Sequence, residues 1–211
     1  MQTGEARTKN ILAKIYASQF ASESRPKENL ARALLTDVGE LDRELENLEE
    51  RGFVRLEGGR PRLTLSGRKF IMVVMTGGAF DIIHPGHIET LELARELGDA
   101  LIVSVARDST FERNKKRKPQ HSEALRKDLV AAIRTVDCAV LGSETDIFET
   151  VELLKPDIIA LGYDQFHDET KISDEVKKRG LDVRVVRLKA SNPDIKTSAI
   201  INNHSSSSGG L

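Results

Sequence analysis

Two histidines stand three residues apart in His84-Pro85-Gly86-His87, and the glycine pair Gly77-Gly78 precedes them. Imidazoles donate hydrogen bonds and carry charge near neutral pH, which suits them to developing anions. Glycines leave room for backbone N–H groups to approach an anion. Pro85 fits the first turn of a helix without removing a donor that turn needs. A helix starting there directs its positive dipole end at the same spot, and the spacing puts both histidines on one side of it. This combination describes a phosphate site. A histidine pair at this spacing could also hold zinc, but no third ligand is evident, since Asp81 lies before the helix and Glu89 is not set to join them. Asp81 is expected to brace the loop by accepting backbone hydrogen bonds.

Two further stretches carry candidate groups. Phe111 to Lys118 reads FERNKKRK, a basic loop with Lys115, Lys116 and Lys118, whose composition by itself describes a solvated segment. Gly162-Tyr163-Asp164-Gln165 follows an apolar run, and Asp164 is expected at the carboxyl end of a strand, where it serves a ligand or a turn. Cys138 is the single cysteine; it lies in an apolar run and is expected to be a buried thiol, outside any disulfide or cysteine zinc cluster.

The elements that must position these residues are legible from Ile71 onward. IMVVM, ALIVSVA, CAVL, DIIALG and VRVVRL are short β-prone runs. Between them lie helical patterns: Ile88, Leu91 and Ala94 on a helix from His87 to Leu97 stopped by Gly98, then Leu125, Leu129, Ala132 and Ile133, then Ile147, Phe148, Val151 and Leu154. A polar helix from about Asp168 to Arg179 precedes the last strand. Continuous apolar strands alternating with amphipathic helices predict an α/β domain with a Rossmann-like parallel sheet, helices on both faces and its site at the carboxyl ends of the strands.

The first 69 residues follow another pattern. Ile11, Leu12, Ile15 and Tyr16 mark one helix, and Leu30, Ala31 and Leu34 a second. Leu41, Leu45 and Leu48 mark a third, with Gly52 at its end as C-cap. FVRLEGGRPRLTL then predicts a hairpin with Gly58-Gly59 in a primed turn. This order resembles the winged helix-turn-helix family, a small α+β domain. Its reading helix would run from about Asp37 to Arg51 and carries Asp37, Glu40, Asp42, Glu44, Glu46, Glu49 and Glu50 against Arg43 and Arg51. Only the wing, with Arg55, Arg60, Arg62, Arg68 and Lys69, is basic. Such a helix would meet DNA phosphates unfavourably, so a packing or dimerisation module is favoured over an operator-binding one. The expected division is residues 1–69, 70–201 and a flexible tail at 202–211.

Gly78-Ala79-Phe80-Asp81 followed by His84-Pro85-Gly86-His87 resembles the motif of the cytidylyltransferase-like nucleotidyltransferases over roughly residues 72 to 201. The resemblance implies in-line attack by a substrate phosphate on the α-phosphate of a nucleoside triphosphate, with pyrophosphate released and no covalent enzyme intermediate. It makes His84 and His87 the catalytic donors and Mg²⁺ the companion of the triphosphate. Gly78, Ala79, Phe80, Asp81, Pro85, Gly86, Asp164, Thr197 and Ser198 become nucleotide-binding residues. Near the end, Ile195-Lys196-Thr197-Ser198 keeps two hydroxyls of the family's closing motif, while Lys196 and Ile201 depart from it. The resemblance also implies that a lysine of the basic loop, Lys115, Lys116 or Lys118, holds phosphate, and it makes Arg126, matched to a family arginine, a further phosphate-binding candidate, with a surface role equally open.

Within that family, FDIIHPGH, IVSVARDST, VDCAVLGS and LLKPDIIALGYDQ are closest to the archaeal-type FAD synthases. The implied substrates are ATP and FMN. The alternatives are a cytidylyltransferase acting on glycerol 3-phosphate and a flavin- or nucleotide-linked DNA-binding regulator. Related enzymes imply a homodimer. Across 211 residues, 32 Lys and Arg nearly balance 33 Asp and Glu, which argues against a general nucleic-acid coat protein. No run approaches the roughly 18 apolar residues of a membrane span, and the start has no apolar signal segment, so a cytoplasmic protein is expected.

Overall fold

A computed structural model describes residues 4–20, 27–163, 165 and 168–189. The expected site residues Asp164, Thr197 and Ser198, and the expected tail, lie outside the described residues. The chain opens with α1 (Gly4–Ser18), α2 (Lys27–Ala33) and α3 (Val38–Glu50). Asp37 caps α3 by accepting the Glu40 amide at 2.8 Å, and α3 closes on Arg51 with Gly52 one position beyond. A hairpin of β1 (Val54–Glu57) and β2 (Arg60–Leu63) follows. Gly58 and Gly59 turn it with φ of 57° and 78°, the positive values a two-residue type I′ turn needs. A short α4 (Leu65–Lys69), capped by Thr64, links it to the sheet.

The second stretch runs β3 (Val73–Gly78), α5 (Pro85–Arg95), β4 (Ala100–Val105), α6 (Asp108–Lys115), α7 (Glu123–Ala131), β5 (Cys138–Leu141), α8 (Ile147–Leu154), β6 (Ile158–Leu161), α9 (Glu169–Lys178) and β7 (Arg184–Arg187). All five strands are parallel, in the order β5-β4-β3-β6-β7. The chain starts in the centre, moves out to β5, then returns to the other side of β3. That reversal opens a crevice at the carboxyl ends of β3 and β6, where ligands bind in open α/β sheets.

The period of two along each strand feeds two cores. Val74, Leu101, Val103, Ala139 and Ile158 meet Leu91 and Ala94 of α5 and Val130 of α7. Val73, Met75, Ile102, Val140 and Ile159 face the other way, against Val151 and Leu154 of α8 and Ile172 and Val176 of α9. Ile11, Leu12, Ile15 and Tyr16 of α1 belong to this second core, so the amino-terminal helices and one face of the sheet share one apolar interior.

Two local expectations are corrected. The stretch FERNKKRK is half helical, because Phe111 is buried and anchors α6 up to Lys115. On α7 the buried face holds Arg126 and Val130, while Leu125 and Leu129 are 53% and 47% exposed. A buried guanidinium with enough partners outcompetes the leucine stripe for the interior, which periodicity alone does not anticipate.

Candidate active site

Gly77 and Gly78 are the last two residues of β3, paired with Ser104 and Val105, so their backbone belongs to the ladder rather than to an open anion loop. Gly78 is small for a different reason. A Cβ there would sit 2.9 Å from the Phe80 ring, which folds back over it. Phe80 is buried and holds φ at 49°, a left-handed conformation costing a non-glycine residue about 1 kcal/mol. The fold sustains that strain because the ring lands beside His87, with centroids 5.2 Å apart.

His84 is the N-cap of α5, with extended backbone at φ −140° and ψ 167°, and its side chain makes no capping bond. Pro85 opens the helix, as its locked φ and missing N–H allow. The imidazoles of His84 and His87 lie 3.8 Å apart at 30°, nearly stacked. The His87 and Ile88 amides bond the His84 carbonyl at 2.9 and 3.3 Å. The Gly86 amide is then the first-turn donor that these bonds do not use. An open depression of about 620 Å³ lies against this helix start, lined by Ile83, His84, Pro85, Gly86 and Ile88 with Glu89 and Glu92. That volume is within the range of small-molecule sites.

Asp81 is 3% exposed and braces the loop as expected, accepting the Gln120 amide at 2.6 Å. It also pairs with Arg117 at 2.7 Å, and its carbonyl lies 3.2 Å from His121 Nδ1. The basic segment is therefore tied to the loop by Arg117, while the side chains of Lys115, Lys116 and Lys118 stay exposed. Lys116 closes α6 in a left-handed conformation, φ 56°, which turns the chain towards Asp81.

Arg126 departs from both readings open in the sequence. It is 0% exposed, so it is neither a surface residue nor placed to receive phosphate directly. Its guanidinium bonds the carbonyls of Ala79, Ala106 (2.8 Å) and His121 (3.0 Å) and the Asp108 carboxylate (2.7 Å).

Sequence reasoning missed several groups at the same ends of the strands. Gln165 donates to the Gly77 carbonyl at 2.6 Å and accepts the Gly162 amide at 3.2 Å, joining the ends of β3 and β6. Arg187 donates to the carbonyls of Gly162 and Gln165 at 3.0 and 2.8 Å. Arg107 bonds the Gly142 carbonyl and pairs with Glu123 at 2.7 Å. The Asp108 amide donating to Glu123, reinforced by Arg107, holds that carboxyl below its usual range. The available signal was position: Arg107 and Asp108 follow β4 directly, as Asp164 follows β6.

Comparison with known proteins agrees with this architecture. The cytidylyltransferase-like family model matches residues 75–207. A protein named FAD synthase from Aciduliprofundum boonei is 55% identical over 116 residues, covering 55% of this chain and 77% of its own. Another FAD synthase, from Archaeoglobus profundus, is 56% identical over 117 residues, covering 56% and 74%. A crystal structure of the lipopolysaccharide core biosynthesis protein from Thermoplasma volcanium is 45% identical, with a TM-score of 0.55 over 56% of this chain and 97% of that one. Since the matched model spans most of the chain and carries the glycine strand end, the stacked histidines and the parallel sheet together, this protein belongs to the cytidylyltransferase-like family.

Proposed function

We propose that this protein is an FMN adenylyltransferase, joining FMN to the adenylyl group of ATP to give FAD and pyrophosphate. The stacked pair of His84 and His87 at the start of α5 carries the chemistry, and relatives named FAD synthase at 55% and 56% identity support the substrates. The FMN phosphate attacks the α-phosphorus of ATP; the α–β bond breaks and pyrophosphate leaves. No covalent enzyme intermediate is required, so the protein contributes positioning and charge stabilisation. In this reading His84, His87 and the Gly86 amide hold triphosphate oxygens as charge grows on the leaving group. The exposed Lys115, Lys116 and Lys118 supply positive charge beside it.

Mg²⁺ belongs to this reading as part of the ATP complex. Among the described residues no group of three or more histidine, cysteine, aspartate or glutamate side chains is set to hold a metal. Triphosphate oxygens are the donors that fit the ion, which would add charge neutralisation to that of the imidazoles.

We read the amino-terminal elements as a winged-helix-like packing module. α1 lies in the core of the sheet, and α3 presents exposed Asp37, Glu40, Glu46, Glu49 and Glu50, an unfavourable face for DNA.

Chromatography of reactions containing Mg²⁺, either ATP or CTP, and either FMN or glycerol 3-phosphate tests the assignment. FAD from ATP and FMN is the expected product. CDP-glycerol from CTP would keep the mechanism and replace the substrates. Absence of product from every pair would overturn the enzymatic reading and leave only the fold.

A further inference from the structure

Arg126 is the largest fully buried side chain among the described residues, and it sits where three loops meet. Nη1 donates to Ala79, between β3 and α5. Nη2 donates to Ala106 and to Asp108, at the end of β4 and the start of α6. Nε donates to His121, in the segment that leads into α7. A buried cation needs compensation, yet its single carboxylate partner, Asp108, is 38% exposed. The remaining compensation comes from three backbone carbonyls, one from each loop. A planar fork with fixed donors can satisfy that geometry; a single ammonium cannot reach all four acceptors at once. Each loop leads to a group of the site. Ala79 adjoins the strained Phe80 that packs on His87, Asp108 opens the basic helix, and His121 adjoins the segment that braces Asp81.

We infer that Arg126 is a positioning residue, whose buried guanidinium fixes the loop between β3 and α5, the start of α6 and the Arg117–His121 segment in register so that histidines and lysines converge on one triphosphate. The inference rests on the adenylyltransferase reading for its rate effects but not for its structural ones. Loss of the fork would move the histidine loop relative to the basic segment. A displacement near 1 Å between reacting groups can cost about 100-fold in rate.

Arg126→Lys keeps the charge and removes the fork. Assayed per folded molecule, below its unfolding transition, it is expected to lower kcat/KM for ATP by about 100-fold. Amide hydrogen exchange should quicken at residues 78–84, 106–110 and 117–123, with β4 still protected. Wild-type kcat/KM in the folded variant would overturn the inference, since charge alone would then suffice. So would exchange that quickens evenly through the sheet, the mark of a merely stabilising residue. Should Arg126→Lys fail to fold, Asp108→Ala removes the part-exposed acceptor, with an expected loss of about tenfold and the same local exchange pattern. Unchanged activity and exchange in that variant would also overturn it. The exchange pattern needs no substrate. A wild-type protein that makes no FAD but whose variants show the local pattern would sink the assigned reaction and sustain the tie.

Discussion

At the amino ends of the parallel strands, carboxylates bond strand amides and meet cations of the amino-terminal elements; at the carboxyl ends, arginines bond loop carbonyls as well as carboxylates, and the lysines stay exposed. Asp99, Asp137 and Asp157 accept the amides of Met72, Leu101 and Val73 at 2.8, 2.7 and 2.6 Å. Cations of the amino-terminal elements meet the same carboxylates: Lys9 at 3.9 Å, Lys14 at 2.7 Å and Arg68 at 3.0 Å. The Tyr16 hydroxyl adds a bond to the Leu154 carbonyl. At the opposite ends, among the described residues, Arg126 and Arg187 each bond more carbonyls than carboxylates, with one close carboxylate apiece: Asp108 at 2.7 Å and Glu169 at 2.9 Å. The lysines of the basic segment are exposed there, and the imidazoles of His84 and His87 stack at the start of α5. One set of strands thus carries an anchoring end and, opposite it, a working end at which the proposed site lies.

The comparison breaks most sharply if changes at the working end alter stability rather than rate. His84→Ala and His87→Ala should each lower kcat by about 10²- to 10³-fold, the cost of removing one donor to a developing anion. Both residues are half-buried at a helix start, so thermal unfolding of His84→Ala should stay near wild type, while His87→Ala, which loses the ring that packs on Phe80, should unfold slightly earlier. Full activity in either variant would remove the histidines from the mechanism.

Lys14→Met makes the reciprocal test at the anchoring end. The Asp137 side chain is 3% exposed, and the variant leaves it with the Leu101 amide and Arg95 at 3.9 Å. A buried carboxylate that loses its close partner destabilises a fold by about 3 kcal/mol. Denaturant unfolding should show that loss, while kcat per folded molecule stays unchanged. A fall in kcat with unaltered stability would mean that the two ends are coupled rather than separate.

What was legible in the sequence follows the same division. Strands and helices were readable because each buries a continuous or periodic apolar set, and the histidine motif was readable because it is contiguous and follows a glycine-ended strand. The tie through Arg126 was not readable. Its partners at Ala79, Ala106 and His121 are backbone carbonyls, which leave no mark in residue identity, and the charged residue sits at a buried helix position where Leu125 and Leu129 were expected. The docking of α1 was hidden for a related reason. Its apolar face fits a free-standing helical module as well as it fits the sheet, and the polar contacts of Lys9, Lys14 and Tyr16 mark which surface it covers.

Tyr16 offers the finest test of that docking. Burial pushes its phenol up to about 12, with Arg68 pulling in the opposite direction. In the unfolded chain the ordinary value is about 10. The neutral phenol is favoured in the folded state, so its contribution is fully present below about pH 10 and disappears as pH rises from there towards 12. Two units correspond to roughly 2.7 kcal/mol lost across that window. Tyr16→Phe cannot ionise, but it leaves the Leu154 carbonyl without this donor, a cost of about 1 kcal/mol at pH 7. The variant should therefore be slightly less stable than wild type at neutral pH and overtake it near pH 11. Taking the difference between the two proteins cancels every other alkaline titration. Parallel stability curves from pH 7 to 11 would mean that Tyr16 is as hydrated in the folded protein as in the unfolded one. In that case α1 does not cover the sheet, and the anchoring end is not built as described.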